Sequence, residues 1–187
     1  HGLKWSVVES LPVSEAIKYA GPDRDRLIAG YKQSLANLGQ AGITTVVYNF
    51  MPVIDWIRTD LHHQLPDGTS TLYFDQVRFA YFDCCILNRE GAAADYPEQL
   101  MQQVQALKET ITEQEIADLV DTIIVKTQGF VNENFKGDVV QPVALFRQLL
   151  DRYKGIGPDQ LRENLRYFLQ EVIPVAERYG IKLCIHP

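Results

Sequence analysis

The sequence has few cysteines, few positive charges and no long apolar run, and each shortage argues against a class of protein. Three cysteines in 187 residues, with no C-x-x-C spacing, argue against a disulfide framework. Eighteen Lys and Arg against 24 Asp and Glu give a net charge of −6, which disfavours nucleic acid or an anionic membrane as a partner. No apolar run approaches the roughly 20 residues that span a bilayer. We therefore expect a cytoplasmic protein that binds neither membrane nor nucleic acid.

Several common catalytic signatures are also missing. The sequence contains no G-x-G-x-x-G loop, Walker loop, G-x-S-x-G elbow or H-E-x-x-H pair. Dinucleotide binding, phosphate-loop chemistry and the commonest serine-hydrolase and zinc-protease mechanisms therefore have no support in the sequence.

What the sequence does contain is an alternation of strand and helix patterns. Mostly apolar segments over residues 3–9, 44–50 and 181–185 predict three parallel-type strands. The apolar spacing of residues 23–40 and 158–179 predicts the helices that precede the second and third of these strands. Strand, helix and strand in succession form a βαβ unit, so the sequence predicts an α/β fold.

A long stretch of about residues 59–157 interrupts this alternation and predicts a mixed insertion after the second strand. Its aromatic segment, residues 71–82, predicts a β-hairpin or two short strands that would suit a lid or a subunit contact. Thr112 and Glu115 have capping-box spacing and predict the start of a helix. A further helix is expected over about residues 139–153.

The number of predicted strands is too small for a closed barrel. A (β/α)₈ barrel needs eight strands and about 250 residues. Because predicted strands lie at both ends of the sequence, we expect residues 1–187 to be a fragment of a longer protein, and if the fold is a barrel, they hold less than half of it. The alternative is a complete small α/β domain.

Polar side chains lie at the carboxyl end of each of the three predicted strands. Glu9 is the last residue of the first, Asn49 is near the end of the second, and His186 directly follows the third. The carboxyl ends of parallel strands share one edge, where ligands bind in α/β proteins. At such an edge His186 would suit Mn²⁺, Fe²⁺ or Zn²⁺, although a structural, hydrogen-bonded histidine is the alternative. Glu9 is a candidate base or a candidate hydrogen-bond partner that orients a metal ligand, and a purely structural pairing is equally open.

The segment after the second strand is the other candidate for ligand binding. Asn49 offers a donor and an acceptor, Arg58 can fork onto a carboxylate, and Trp56 offers a flat apolar wall. Together they would suit a polyhydroxylated acid. The alternative is a packed loop in which Arg58 forms a surface ion pair.

The remaining histidines and the cysteines predict structural roles. His62 and His63 are adjacent, which is poor spacing for a metal pair on a helix, and we expect them in a loop. Cys84 and Cys85 lie in an aromatic, strand-like run and predict buried, inert thiols. Cys184 is expected to point into the core.

Three segments resemble the bacterial D-mannonate dehydratases of hexuronate breakdown. They are WSVVESLP at residues 5–12, YNFMPVIDWIRTDL at residues 48–61 and IHP at residues 185–187. Residues 73–88 are similar to the aromatic insertion of the same family, and the resemblance extends over the whole sequence.

This resemblance implies a metal-dependent, xylose-isomerase-like TIM barrel about twice as long as the sequence, so that residues 1–187 would form a single, incomplete TIM-barrel domain. Its members are lyases of glucuronate catabolism that dehydrate D-mannonate to 2-keto-3-deoxy-D-gluconate with Mn²⁺ or Fe²⁺. The resemblance implies that His186 is a metal ligand, and we take Asn49 and Arg58 as substrate contacts. The family's other ligands and its catalytic Tyr would lie downstream, so this segment alone should be inactive. We also expect a homo-oligomer.

Two alternatives to this function stay open. The first is another metal-dependent sugar isomerase or epimerase on the same barrel. The second is a non-catalytic fragment that binds a sugar acid without metal, which the open edges of a three-stranded sheet disfavour.

Overall fold

Two compact units make up the part of the chain that the structure describes. The computed structural model describes residues 2–128 and 141–186. One unit, the sheet unit, contains the residues up to 52 and those from 152 onward, and the other, the helical unit, contains residues 53–151. No helix in the described ranges is long and apolar enough to cross a membrane.

The described elements alternate between strands and helices, with a helix-rich stretch in the middle of the chain. In chain order they are β1 (Val7–Val8), α1 (Glu15–Lys18), α2 (Arg24–Gln40), β2 (Thr45–Tyr48), β3 (Asp60–Gln64), β4 (Ser70–Tyr73), α3 (Gln76–Tyr81), a π-helical segment (Phe82–Leu87), a 3₁₀ turn (Ala92–Asp95), α4 (Glu98–Lys108), α5 (Glu113–Val120), a second π-helical segment (Asp121–Lys126), α6 (Pro142–Asp151), α7 (Pro158–Arg178) and β5 (Lys182–Ile185).

The sheet unit contains a three-stranded parallel sheet in the order β1-β2-β5. Helix α2 connects β1 to β2, and α7 directly precedes β5. The α/β prediction is therefore confirmed, and the predicted helices over residues 23–40 and 158–179 match α2 and α7 closely. The strand predicted over residues 3–9 pairs only at Val7 and Val8.

The core of the sheet unit lies between the sheet and helices α2 and α7. Fully buried Phe168 of α7 is its centre, with ring centroids 5.0 Å from Tyr31, 5.9 Å from Tyr48 and 5.9 Å from Phe50. Aromatic pairs at such separations add to the stabilisation that comes from burial alone. This packing fixes β2, and hence the residues that follow it, against both helices.

Tyr31 carries a buried hydroxyl without a hydrogen-bond partner among the residues that the structure describes. Burial, and secondarily Tyr48, raises the pKa of this hydroxyl, so it stays neutral. Because an unsatisfied buried hydroxyl costs free energy, Tyr31→Phe should leave the free energy of unfolding unchanged or raise it by up to about 1 kcal/mol. Urea denaturation measures this change.

The matched control for that variant is Tyr153→Phe, which removes a hydroxyl that donates to Glu15. Hydrogen bonds to charged groups contribute about 1.5–3 kcal/mol, so this variant should lose stability. If Tyr31→Phe cost as much as Tyr153→Phe, the Tyr31 hydroxyl would have to be hydrogen-bonded in solution.

In the helical unit, β3 and β4 form an antiparallel hairpin. His62 and His63 lie within β3, and the His63 ring stacks on Tyr73 with centroids 4.1 Å apart. The prediction that these histidines lie in a loop was therefore wrong. The chain reverses only after Gln64, in a turn that contains Gly68 with a φ of +84°. Both histidines precede this turn and therefore belong to the strand.

Within the aromatic segment of residues 71–82, only residues 71–73 belong to a strand and residues 76–81 form a helix, so the prediction of a hairpin or two strands was partly wrong. Strand β4 ends at Tyr73, and Asp75 begins α3 by accepting hydrogen bonds from Val77 N at 2.8 Å and Arg78 N at 3.0 Å. An N-cap aspartate competes effectively with the strand preference of aromatic residues.

Cys84 and Cys85 lie in a π-helical segment rather than a strand, and both are half-buried. Burial, followed by the nearby Asp83, raises the pKa of the Cys84 thiol. A protonated thiol is a poor nucleophile. The prediction that both cysteines are buried was wrong, because each is only partly covered by its neighbours.

The other predicted helices of the helical unit are present. Thr112 and Glu115 form the predicted capping box at the start of α5. The helix predicted over about residues 139–153 corresponds to α6, although residues 139–140 lie outside the described part.

Cys184 is exposed, so its predicted core position was wrong. In the sheet register it lies beside Val47, whereas buried Val46 and Tyr48 point to the opposite face, toward the helices. Side chains on the Cys184 face are exposed or half-buried, because the helices of this unit cover the other face.

Candidate functional site

The carboxyl ends of the three parallel strands bring three polar residues to one edge of the sheet. Glu9, Asn49 and His186 each follow a strand directly. The backbone N–H of His186 donates to the carbonyl oxygen of Tyr48 at 2.7 Å, which holds the end of β5 against the end of β2. The structure therefore gathers the strand-end residues that the sequence predicts to be close together.

Glu9 and His186 face each other across this edge. Their closest side-chain atoms, Glu9 Oε1 and His186 Nε2, are 3.8 Å apart, and the side chains are 68% and 43% exposed. This separation is longer than a good hydrogen bond, and an exposed ion pair of this kind contributes little to stability. A carboxylate oxygen and an imidazole nitrogen at this spacing can both turn toward a third group.

Asn49 is buried at the same edge. It is 7% exposed and follows Tyr48, the residue whose carbonyl accepts the His186 hydrogen bond. Its amide has both a donor and an acceptor, which would suit a ligand hydroxyl.

A buried lysine fixes the segment that follows Asn49. Lys18 is 4% exposed, and its Nζ donates to the carbonyl oxygen of Met51 at 2.9 Å and to Glu15 Oε1 at 2.7 Å. Buried charges of this kind need a partner and hydrogen bonds to be tolerated. Lys18 therefore ties α1 to the chain that leaves β2.

Two further residues complete this buried network. The Tyr153 hydroxyl donates to the second carboxylate oxygen of Glu15, and the Asn164 side-chain amide donates to the carbonyl oxygen of Lys18 at 2.8 Å. Burial, and then Glu15, raises the pKa of Tyr153. The segment that follows Asn49 is thus held by a hydrogen-bond network that extends to Asn164 of α7.

Arg58 belongs to the helical unit and lies in a short segment held by Gln128. Buried Gln128 accepts a hydrogen bond from Asp55 N at 2.9 Å and donates to the carbonyl oxygen of Trp56 at 3.2 Å. The Arg58 guanidinium donates to the carbonyl oxygen of Ile57 at 2.7 Å and lies 5.2 Å from the centre of the Trp56 ring. Its orientation is therefore set by local contacts.

The described residues do not form a complete metal site. Within residues 2–128 and 141–186, no group of three His, Cys, Asp or Glu side chains is close enough to hold a metal ion. Glu9 and His186 supply one oxygen and one nitrogen donor, and both donor types suit Mn²⁺ and Fe²⁺.

The helical unit contains a cavity of about 620 Å³ between its hairpin and α5. Four of the charged groups around it form two pairs: Arg78 binds Glu115 at 2.8 Å, and Lys126 binds Asp121 at 2.7 Å. The hydrogen bond from Arg78, followed by those from Thr112, lowers the pKa of Glu115 to about 2. Both the arginine and the lysine of the lining are therefore paired with carboxylates of the same lining.

Sequence reasoning missed Lys18 and Gln128. The spacing of Glu15 and Lys18 is a signal for a local ion pair on a helix, but it does not indicate burial. Gln128 contacts a segment more than 70 residues earlier in the chain, and no local pattern marks such a partner.

The comparisons with known proteins agree with one another. The family model described as D-mannonate dehydratase (UxuA) matches residues 1–187. The mannonate dehydratase of Marinomonas sp. (strain MWYL1) is 44% identical over 187 residues, which are 100% of this chain and 46% of that protein. The mannonate dehydratase of Chromohalobacter salexigens is 46% identical over 186 residues, with the same two coverages. The chain spans about half the length of these curated relatives.

A solved structure is also similar. The crystal structure of mannonate dehydratase from Streptococcus suis serotype 2 matches with a TM-score of 0.54 and 34% sequence identity. The match covers 100% of this chain and 37% of that one. The similarity in sequence therefore extends to the fold.

Proposed function

Because the chain belongs to the D-mannonate dehydratase (UxuA) family, we propose that it forms part of an enzyme that removes water from D-mannonate. The product would be 2-keto-3-deoxy-D-gluconate, as the sequence resemblance implies. The structural observation that supports a site on this chain is the meeting of Glu9 and His186, 3.8 Å apart, at the carboxyl edge of a parallel sheet.

The proposal includes the fold of the whole protein, a (β/α)₈ barrel of the xylose-isomerase type. Three parallel strands with helical connections are consistent with part of such a barrel. The helical unit would then be the insertion of about residues 59–157 expected after the second strand. A cytoplasmic homo-oligomer stays part of the proposal.

His186 is the proposed ligand for Mn²⁺ or Fe²⁺. Its imidazole lies at the sheet edge with one carboxylate, that of Glu9, beside it. Because the described residues offer an incomplete donor set, the remaining ligands would come from the part of the relatives that this chain does not match. Glu9 would either be a second ligand of the ion or accept a hydrogen bond from the imidazole nitrogen of His186 that does not bind the ion. Such a hydrogen bond would fix the orientation of the ring.

Dehydration requires loss of the proton at C2, next to a carboxylate, and expulsion of the C3 hydroxyl. A bound divalent ion would stabilise the negative charge that develops on the substrate carboxylate. For this chain we propose that Asn49 binds a substrate hydroxyl. Arg58 is proposed as a carboxylate contact because a guanidinium binds that group with two parallel hydrogen bonds. We assign the acid and the base to no residue of this chain.

A chimera tests the proposed function. This chain replaces the matching region of the Marinomonas relative, and the purified chimera is incubated with D-mannonate and Mn²⁺. We expect a 2-keto acid lighter than the substrate by one water molecule, and no product from the 187-residue chain by itself. A folded, metal-loaded chimera without turnover would contradict the proposal.

The same experiment separates the alternative functions. An isomerase or epimerase of the same fold would give a product with the mass of the substrate. Tight binding of mannonate by the 187-residue chain without metal would instead favour a sugar-acid binding module.

A further inference from the structure

Strand β1 ends in a β-bulge, that is, with one residue more than the regular pairing with β2 requires. Val8 lies opposite Val46 in the parallel register. In a regular parallel ladder every second residue donates to the same neighbouring strand, so the amide of residue 10 would donate to the carbonyl oxygen of Val47. The amide of Leu11 makes this hydrogen bond instead, at 3.2 Å. The bulge therefore lies between Val8 and Leu11.

Ser10 has the unusual backbone conformation that the bulge requires. Its φ is +61°, in the left-handed region that residues other than glycine rarely adopt. Such a conformation costs free energy and persists only where the surrounding structure compensates for it. Leu11 provides this compensation, because it packs against the same hydrophobic core as Val8. In a regular strand, the alternation of side chains would place Leu11 on the opposite face from Val8.

The Glu9 side chain, which belongs to the bulge, extends across the sheet. Strands β1 and β5 each pair with β2, so they are about 10 Å apart. Side chains that stand perpendicular to the sheet would keep roughly this separation. Glu9 Oε1 nevertheless lies 3.8 Å from Nε2 of His186, which follows β5. At least one of these two side chains must therefore lean across β2.

We propose that the bulge directs the Glu9 carboxylate toward His186 and that Ser10 is the positioning residue that maintains the bulge. A β-bulge bends its strand and turns the adjacent side chain, and bulges are frequent beside active sites for this reason. Ser10 acts through its backbone conformation and not through its hydroxyl. The inference rests on the proposed function and deepens it, because it states how Glu9 is held at the proposed metal site.

Substitutions of Ser10 in the chimera separate the backbone conformation from the chemistry of the side chain. Glycine adopts a positive φ readily, so Ser10→Gly should keep kcat for D-mannonate within about twofold of the original value. A β-branched residue is strongly disfavoured at such a φ, so Ser10→Val should lower kcat about 10–100-fold, as loss of an outer partner of a metal ligand does. If Ser10→Gly lowered kcat as much as Ser10→Val, the hydroxyl would be the functional group and the inference would be wrong.

Deletion of Ser10 tests the same point if Ser10→Val does not fold. The deletion removes the extra residue and the left-handed conformation together, while Leu11 can still donate to Val47 and face the core. We therefore expect Tm to stay unchanged or rise and kcat to fall about 10–100-fold, as in Ser10→Val. A deletion variant with full turnover would show that the bulge does not direct Glu9.

Ala20 provides a matched control for the backbone effect. It is exposed, follows α1 and has a φ of +58°, so Ala20→Val meets the same conformational restriction away from the sheet edge. This variant should lower Tm and leave kcat unchanged. Equal losses of kcat in Ala20→Val and Ser10→Val would mean that Ser10 contributes only to stability, which contradicts the inference.

A double variant shows whether Ser10 acts through Glu9. Ser10→Val combined with Glu9→Gln should lower kcat no further than the larger of the two single effects, because both changes remove the same interaction. If the two losses multiplied instead, Ser10 would act independently of Glu9 and the inference would fail.

Two measurements that do not depend on turnover separate this inference from the proposed function. Amide hydrogen exchange at Leu11 should be slow in the chimera and in Ser10→Gly, and at least about tenfold faster in Ser10→Val, where the bond to Val47 is lost. Fast exchange at Leu11 in the unmodified chimera would overturn the inference. In an inactive chimera, slow exchange at Leu11 and an equal loss of bound Mn²⁺ in Ser10→Val and Glu9→Gln would support the role of Ser10 while contradicting the proposed function.

Discussion

Replacing Lys18 with methionine should destabilise the sheet unit by about 3–5 kcal/mol, because the substitution leaves the Glu15 carboxylate in place without its charged partner. The Lys18 side chain is 5% exposed and that of Glu15 is 15% exposed, so water compensates little for the loss. The carbonyl oxygen of Met51 loses its hydrogen bond as well. Urea denaturation followed by hydrogen exchange in α2 and β2 would measure the loss in this unit.

Two control variants separate the effect of burial from the effect of charge. The Asp23–Arg26 pair has the same three-residue spacing as Glu15–Lys18 but is 62% and 72% exposed, so Arg26→Met should cost less than about 1 kcal/mol. Adding Glu15→Gln to Lys18→Met removes the carboxylate charge that Lys18 no longer balances and should recover part of the stability. If Lys18→Met cost no more than Arg26→Met, Lys18 would have to be hydrated in solution.

Replacing His186 with alanine in the chimera should lower turnover of D-mannonate at least about 100-fold. Loss of an outer partner of a metal ligand already costs 10–100-fold, and loss of the ligand itself should cost more. The bound Mn²⁺ per polypeptide, measured after dialysis, should fall in parallel. This second measurement connects the loss of turnover to metal binding rather than to substrate binding.

The controls for this variant use residues of matching chemistry. His62 is an exposed imidazole in β3 of the helical unit, and His62→Ala should leave both metal content and turnover unchanged. Glu9→Gln should give an intermediate loss if Glu9 orients His186. Unchanged metal content in His186→Ala would refute the assignment of His186 as a ligand.

The regular elements of the sheet unit were predictable because local chemistry and tertiary packing favour the same conformation. The apolar row of α2 faces the core, and Gly157 and Pro158 begin α7 as an N-cap and first-turn proline should. The segment around Asp75 was harder, because its aromatic residues suit a strand and a helix packed on a core equally well. The hydrogen bonds from Asp75 decide for the helix.

The candidate site was predictable to the extent that it follows from sheet geometry. Residues that directly follow parallel strands must lie at one edge, and Glu9, Asn49 and His186 do. Lys18 was not predictable as a support for that edge, because its bond to Met51 joins residues 33 positions apart. The prediction for Cys184 was wrong because the alternation of side chains along a strand shows only that Cys184 and its neighbours lie on opposite faces of the sheet. Which of the two faces is covered by helices depends on the tertiary structure.

Strand β2 pairs with β5, and Tyr48 lies beside Ile185 in the register. The residues of the whole helical unit lie between these two residues in the sequence. The entropy of closing such a loop grows with the logarithm of its length, so a twofold change in length alters the closure free energy by only about 0.6 kcal/mol. The number of residues between these strands is therefore almost neutral for the stability of their pairing. Evolution can lengthen, shorten or replace residues 53–151 with little effect on the sheet, provided that α7 and β5 keep their places in the sheet unit.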